Sequence, residues 1–221
     1  MKQQPVWPAR PRTWEEKNGM EFFDVVETRR SVRLFDSRPL PREELMQVLA
    51  AANAAPSAHN GQPWHFCVAH GSRAVAALLQ DTEAAMQADM RRAGADDESL
   101  VRAVETSRRR LGTAGALVCV FVPPAEPGQP EDGVEAELRA QSAAAATTQM
   151  LLAAHALGLG ACWHSLALRC PDVLRRHFEN AGRPVALVAL GHPADALPGR
   201  PFKKNLDEVV TFCDGTGEEK P

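Results

Sequence analysis

The sequence predicts a globular fold that mixes helices and strands, and three observations carry that reading. Apolar residues recur at helical spacing over several stretches. Three short apolar runs, at 64–69, 117–122 and 185–190, read as strands set among those helices. The 221 residues are enough for one sizeable α/β domain or two small ones. Composition agrees: 44% of residues are hydrophobic, 24% are charged and the formal charge is −3, so no basic field invites nucleic acid. No apolar run reaches the roughly 18 to 20 residues of a membrane-spanning helix. Residues 1–20 hold no hydrophobic core of a signal peptide, and the protein is expected in the cytoplasm without a membrane partner.

Taken in order, residues 1–19 carry three prolines and two tryptophans but no period, and read as an extended N-terminal arm. From 20 to 29, Phe22, Phe23, Val25 and Val26 fit a short amphipathic helix. Arg29-Arg30-Ser31-Val32-Arg33-Leu34-Phe35 follows, and in an extended segment Arg29, Ser31 and Arg33 point the same way. Two guanidinium groups around a hydroxyl make a phosphate clamp, because charge-assisted bidentate hydrogen bonds are the strong ones. A surface strand laced with salt bridges fits the same residues. Pro41, with Glu43 and Glu44 behind it, opens a helix to about residue 55 whose apolar face is Leu45, Val48, Leu49 and Ala52.

After the strand at 64–69, Val75, Leu78, Leu79, Met86 and Met90 recur at helical spacing as far as Arg92. Asp96 or Asp97 then caps a second helix carried by Leu100, Val104 and Leu111. Residues 74–112 therefore read as a charged helical pair, with Arg108, Arg109 and Arg110 on a solvated face. Such an insertion either covers a site or forms a plain helical layer. Pro123 and Pro124 stop the strand at 117–122, and a loop rich in Pro, Gly and Glu runs to about 133. The helix at 134–157 is the longest. Its small residues, Ala143 to Ala146, suit close approach at the centre or at a subunit interface, and Gly158 is placed to stop it. Residues 160–166 read as a strand or turn leaving the core, Pro171 opens a short helix to about Phe178, and in the tail Arg200, Lys203 and Lys204 precede a β-branched strand.

Five cysteines, at 67, 119, 162, 170 and 213, form no C-x-x-C pair, which speaks against structural zinc and iron–sulfur clusters. Cys67 and Cys119 sit in strands as small apolar residues, while Cys162 leaves room for a reactive thiol. No G-x-G-x-x-G follows a strand, and neither a P-loop nor a G-x-S-x-G elbow is present. The most informative stretch is 54–66, Ala-Ala-Pro-Ser-Ala-His-Asn-Gly-Gln-Pro-Trp-His-Phe, where a helix stops at Pro56 and Asn60-Gly61 suits a tight turn. It sets an Asn, a Gln and a Trp side by side, and amide groups that both donate and accept can read the edge of a planar ligand. An ordinary helix-to-strand connection accounts for it equally well.

Four stretches stand in a particular order: Arg-Arg-Ser-Val-Arg-Leu-Phe at 29–35, Ala-Pro-Ser-Ala-His-Asn-Gly-Gln-Pro-Trp at 55–64, Gly-Leu-Gly-Ala-Cys-Trp at 158–163 and Arg-Pro-Phe-Lys-Lys-Asn-Leu-Asp-Glu-Val-Val at 200–210. This order resembles the nitroreductase family of FMN-dependent oxidoreductases over about residues 20–210. The resemblance implies an α+β fold, a mixed central sheet wrapped by helices, and an intertwined homodimer with two flavins at its interface. In such a dimer the helix at 134–157 packs on its mate and the segment at 206–213 extends the partner's sheet. The FMN-binding domain is then 20–213, with 74–112 as a helical insertion and 214–221 as a flexible tail. Carried over by position, Arg29, Ser31 and Arg33, with Arg30 beside them, hold the FMN phosphate and ribityl chain. Asn60 meets the flavin ring edge, and Pro56, Ser57 and Gln62 shape that wall. Trp163, His164, Ser165 and Leu166 lie along the ring, with a backbone N–H near Ser165 or Leu166 facing flavin N5, and Arg200, Lys203 and Lys204 approach the phosphate. Some members carry an acidic residue and a Gly where Ser165 and Leu166 stand, and Asn205 replaces a proline common in the tail.

The resemblance implies hydride transfer from NADH or NADPH through bound FMN to a small nitroaromatic, quinone or enone, in a ping-pong cycle without a conventional general acid or base. The segment 86–111 is also similar to enzymes acting on deazaflavin precursors, and loosely to members that fragment reduced FMN. Two further readings are a flavin-binding protein without turnover and a noncatalytic interaction module built on the Trp-bearing arm and the helices at 74–112.

Overall fold

Seven consecutive apolar residues, Ala116–Val122, form a strand buried along its whole length, and the rest of the fold is layered around it. The computed structural model of the chain describes residues 20–124, 133–199 and 201–213. The expected arm at 1–19, the loop at 125–132, Arg200 and the tail at 214–221 lie outside the described residues. Four strands, β1 (His65–His70), β2 (Ala116–Val122), β3 (Gly160–His164) and β4 (Arg183–Gly191), make one sheet in the order β1-β2-β4-β3. Each neighbouring pair is antiparallel. The parallel component comes from outside the named strands, where Ser31 bridges Ala161 on the free edge of β3.

The helices are α1 (Phe22–Thr28), α2 (Arg42–Asn53), α3 (Ser72–Arg92), α4 (Asp97–Leu111), α5 (Gly133–Ala156), α6 (Leu166–Arg169) and α7 (Pro171–His177). Local chemistry sets their ends. The Asp96 side chain accepts from the Ser99 amide at 2.7 Å and starts α4. Gly158, at φ +74, stops α5 while Leu159 N–H reaches back to the Ala154 carbonyl at 2.8 Å, the Schellman arrangement. None of the helices among the described residues is long and apolar enough to cross a membrane.

Alternation along the strands divides the core between the two faces of the sheet. Val118, Val120, Val188, Leu190 and Ala161 pack with Leu45, Val48 and Ala52 of α2 and Ala143, Ala146 and Met150 of α5. Leu117, Cys119, Phe121, Leu187 and Ala189 face the other way, toward Val75, Leu78 and Leu79 of α3, Leu111 of α4, Leu166 of α6 and Leu174 of α7. The pair at 74–112 thus forms a layer over this second face, stapled by Arg108 donating to both carboxylate oxygens of Glu83 at 2.8 and 2.7 Å. At Asp81 and His177, 2.7 Å apart, α3 is joined to α7.

Three local expectations are corrected. Of the apolar stripe on α1 only Val25 is buried, while Phe22, Phe23 and Val26 face solvent, because a seven-residue helix at the rim lays one edge of a broad stripe on the body. The tail forms a 3-10 turn at Leu206–Glu208 closed by an Asn205 capping box, with no strand among residues 201–213. At 59–62 the left-handed conformations fall on His59, Asn60 and Gln62, and Gly61 is right-handed.

Candidate functional site

The segment after α1 is held to the body from both sides. Thr28 Oγ1 donates to the Asp24 carbonyl at 2.5 Å and therefore accepts from His155 Nε2, 2.8 Å away near the end of α5. Four residues on, Val32 N–H donates to the Ala161 carbonyl at 3.0 Å, so Ser31 to Arg33 run along the edge of β3. Bridged residues share a face, so Ser31 lies with Ala161 on the α5 side. Val32 is buried on the other side with Phe35, and alternation returns Arg33 to the α5 side together with Trp163. Trp163 is 40% exposed there.

Charge collects at this edge. Among the described residues Arg29 and Arg33 have no carboxylate within salt-bridge distance, unlike Arg38, Arg92, Arg102, Arg108 and Arg175, so the salt-bridged surface strand is not what forms. Arg30 differs from them: its guanidinium donates to the Glu27 and Arg29 carbonyls at 2.8 Å and closes the end of α1. Its Nε is buried without a partner among the described residues. Burial, with Arg29 and Arg30 alongside, pushes His155 below the ordinary imidazole value. Burial, then Arg110 and Arg33, does the same to His164. Both rings are therefore neutral at pH 7.

Beyond β3, Ser165 is exposed and Leu166 is buried as the first residue of α6. Their amides find no backbone acceptor among the described residues, as the first donors of a helix do not. His164 points to the second face, where it lines a cavity of about 430 Å³ beneath α4. The segment 163–166 thus serves both sides of the sheet. Cys162 is buried, and burial raises its thiol in spite of the nearby arginines, which removes the reading of an activated nucleophile there.

The loop at 56–62 sits elsewhere. The Ala58 amide donates to Ser142 Oγ at 3.2 Å, and Ser57 Oγ accepts from the Gln62 amide at 3.0 Å. Gln62 Nε2 donates to Asn60 Oδ1 at 3.3 Å, so the two amide side chains stand together on an exposed surface beside Pro56. Trp64 does not join them. It is buried, with Nε1 donating to Asn53 Oδ1 at 2.9 Å. His59, Asn60 and Gln62 are held at φ 54, 52 and 46, backbone strain that surrounding structure has to sustain.

Within one chain these groups do not meet. Ser142 and His155 are thirteen residues apart on α5, about 20 Å along the axis. Lys203 and Lys204 lie on the exposed tail, with no recorded hydrogen bond to either group, and Arg200 is outside the described residues. Sequence reasoning missed Arg110 and His155. Arg110 is one of three consecutive arginines, and only the facing of α4 separates it from Arg108, which pairs with Glu83.

Comparison with known proteins gives the family. Residues 26–192 match the profile described as the Nitroreductase family. A protein of Archaeoglobus fulgidus, provisionally named an NADH dehydrogenase/NAD(P)H nitroreductase, is 30% identical over 79% of this chain and 87% of its own. A nitroreductase with bound FMN from Bacteroides fragilis superposes with a TM-score of 0.66 at 25% identity, covering 88% of this chain and 99% of that one. The FMN-dependent nitroreductase NfnB of Mycobacterium smegmatis, solved with NADPH, gives 0.66 at 20% identity over 86% and 96%. The α+β layering, the edge segment beside β3 and the profile spanning most of the chain lead to one conclusion: this protein belongs to the nitroreductase family.

Proposed function

We propose that the protein is an FMN-dependent oxidoreductase that carries hydride from NADH or NADPH to a small nitroaromatic, quinone or enone in a ping-pong cycle, working in the cytoplasm as an intertwined homodimer. The observation that carries this reading is the pair of uncompensated cations, Arg29 and Arg33, flanking Ser31 on the edge of β3 in a chain of this family. A phosphate placed there gains charge-assisted hydrogen bonds, each worth about 1.5 to 3 kcal/mol. Lys203 and Lys204, with Arg200, would add to it from the tail. Bound flavin supplies the hydride chemistry. The chain's own part is to hold and orient: the amides of Ser165 and Leu166, without a backbone acceptor among the described residues, would donate to the ring, and Trp163 stands on the same face as Ser31 and Arg33.

The gap of about 20 Å along α5 supports the dimer. Were two copies of α5 to pack antiparallel, the Asn60–Gln62 loop of one chain would come to the end of α5 where its mate carries the Arg29–Arg33 segment. Each flavin would then be read by both chains. Phe22, Phe23 and Val26 of α1, and Phe202, Leu206 and Phe212 of the tail, are all exposed and supply apolar surface for a second copy to cover. Residues 20–213 then act as one flavin-binding unit with α3 and α4 as its helical insertion. Five free cysteines suit a reducing compartment.

Purified protein should be yellow and should bleach on anaerobic addition of NADH or NADPH. A yellow protein bleached by neither is a flavin binder without turnover, and a colourless one that takes up no FMN excludes the reading.

A further inference from the structure

The cavity under α4 lies on the far side of β3 from Ser31 and Arg33, and apart from His164 and Leu166 none of its lining residues enters the flavin reading. Its volume of about 430 Å³ falls in the range of small-molecule pockets. Two kinds of wall meet in it. Met86, Ala103 and Leu166 give an apolar side suited to a flat ring, with a thioether that favours aromatic contact. Thr106, Ser107 and Arg110, from the last turns of α4, give a side made of donors. Neither hydroxyl is engaged in a hydrogen bond among the described residues, although Ser107 is 7% exposed.

Arg110 is the decisive group. Its neighbour Arg108 is spent on Glu83, and Arg102 at the mouth is spent on Glu98 at 2.8 Å. Arg110 is half-buried and has no carboxylate partner among the described residues. No acidic side chain lines the cavity. A half-buried guanidinium without a counter-charge calls for one from outside, and a carboxylate matches its planar fork. A neutral ligand would leave that charge unanswered, and a bare inorganic anion would leave the apolar wall against water. We propose that this cavity is a binding site for a small aromatic carboxylate, whose anionic end pairs with Arg110 and the Thr106 and Ser107 hydroxyls and whose ring lies against Met86 and Leu166.

The site shares His164 and Leu166 with the segment assigned to the flavin ring, but its charge and most of its wall come from α3 and α4, so Arg110 and Ala103 can be changed without touching a group assigned to the flavin. The test is isothermal calorimetry with benzoate and with benzamide, its neutral counterpart, on the FMN-saturated protein and on two variants. Arg110→Gln removes the charge; Ala103→Phe fills the cavity and leaves the charge in place. The expected result is benzoate binding at least tenfold tighter than benzamide in the wild type, with at least a tenfold loss of benzoate affinity in each variant that folds. Equal affinity for the two probes, or benzoate binding untouched by Arg110→Gln or by Ala103→Phe, overturns the proposal. Flavin absorbance retained by the same samples after gel filtration reports the proposed function separately. A colourless protein that prefers benzoate through Arg110 would sink the flavin reading and leave this one standing.

Discussion

The segment carrying Arg29 and Arg33 is held by the Thr28 hydroxyl to His155 of α5 on one side and by the Val32 amide to β3 on the other, so replacing the arginines removes charge without removing the segment. Arg29→Ala with Arg33→Ala should raise the FMN dissociation constant at least tenfold in a fluorescence titration, since a tenfold change needs only about 1.4 kcal/mol. An unchanged titration would end the phosphate assignment. His155 and His164 carry a pH prediction. Each has a folded value below the ordinary 6.5, so the unfolded chain binds more protons once pH falls below that point. Their contribution is fully present above pH 6.5 and is lost as pH falls through the folded value. Urea midpoints should therefore drop between pH 7.5 and 5.5, and drop less in His155→Gln or His164→Gln. At this scale legibility was uneven. Alternation alone set Ser31 and Arg33 on one side, because an extended segment has only two sides. The left-handed His59 and Gln62 were invisible, since that conformation is favoured by Gly and Asn and the neighbouring Asn-Gly pair drew the reading.

The elements themselves were largely readable, because long periodic runs announce helices and short continuous apolar runs announce buried strands. The helix expected at 134–157 is α5 at Gly133–Ala156, and the strand expected at 117–122 is β2 at Ala116–Val122. Contacts between elements were not readable, and Gly160 shows why. It reads as the second glycine of Gly-Leu-Gly at 158–160, yet a Cβ there would meet Val32 Cγ1 at 2.7 Å and Phe35 Cε1 at 3.3 Å. The edge segment can lie against β3 only where this side chain is missing. Gly160→Ala should push Val32 and Phe35 outward, cost about 1 to 3 kcal/mol by overpacking, and weaken FMN binding without touching a residue of the clamp. Denaturant midpoints and flavin titration on the one variant check both effects. Intact flavin affinity beside lowered stability would separate the segment's packing from its service to the ligand.

For the whole molecule, the exposed apolar surface of α1 and the tail has to be covered by something. Sedimentation should give twice the 24.0 kDa chain mass. Phe23→Asp with Val26→Asp should yield a monomer that loses FMN, because each site would lack its partner's Asn60 loop. A monomer that keeps its flavin would show that one chain suffices. None of this was legible in one sequence without the family resemblance, since an exposed phenylalanine and a buried one are the same letter.

β3 is a thin wall between two rooms. Its register against β4, Trp163 opposite Val188 and His164 opposite Leu187, decides which side chain opens into which room. One residue inserted after Gly160 would turn the indole toward α4 and the imidazole toward α5, exchanging the furniture of both chambers at a stroke. A point change at 164 carries no such hazard: it should reshape the cavity under α4 and leave Trp163 opposite Val188.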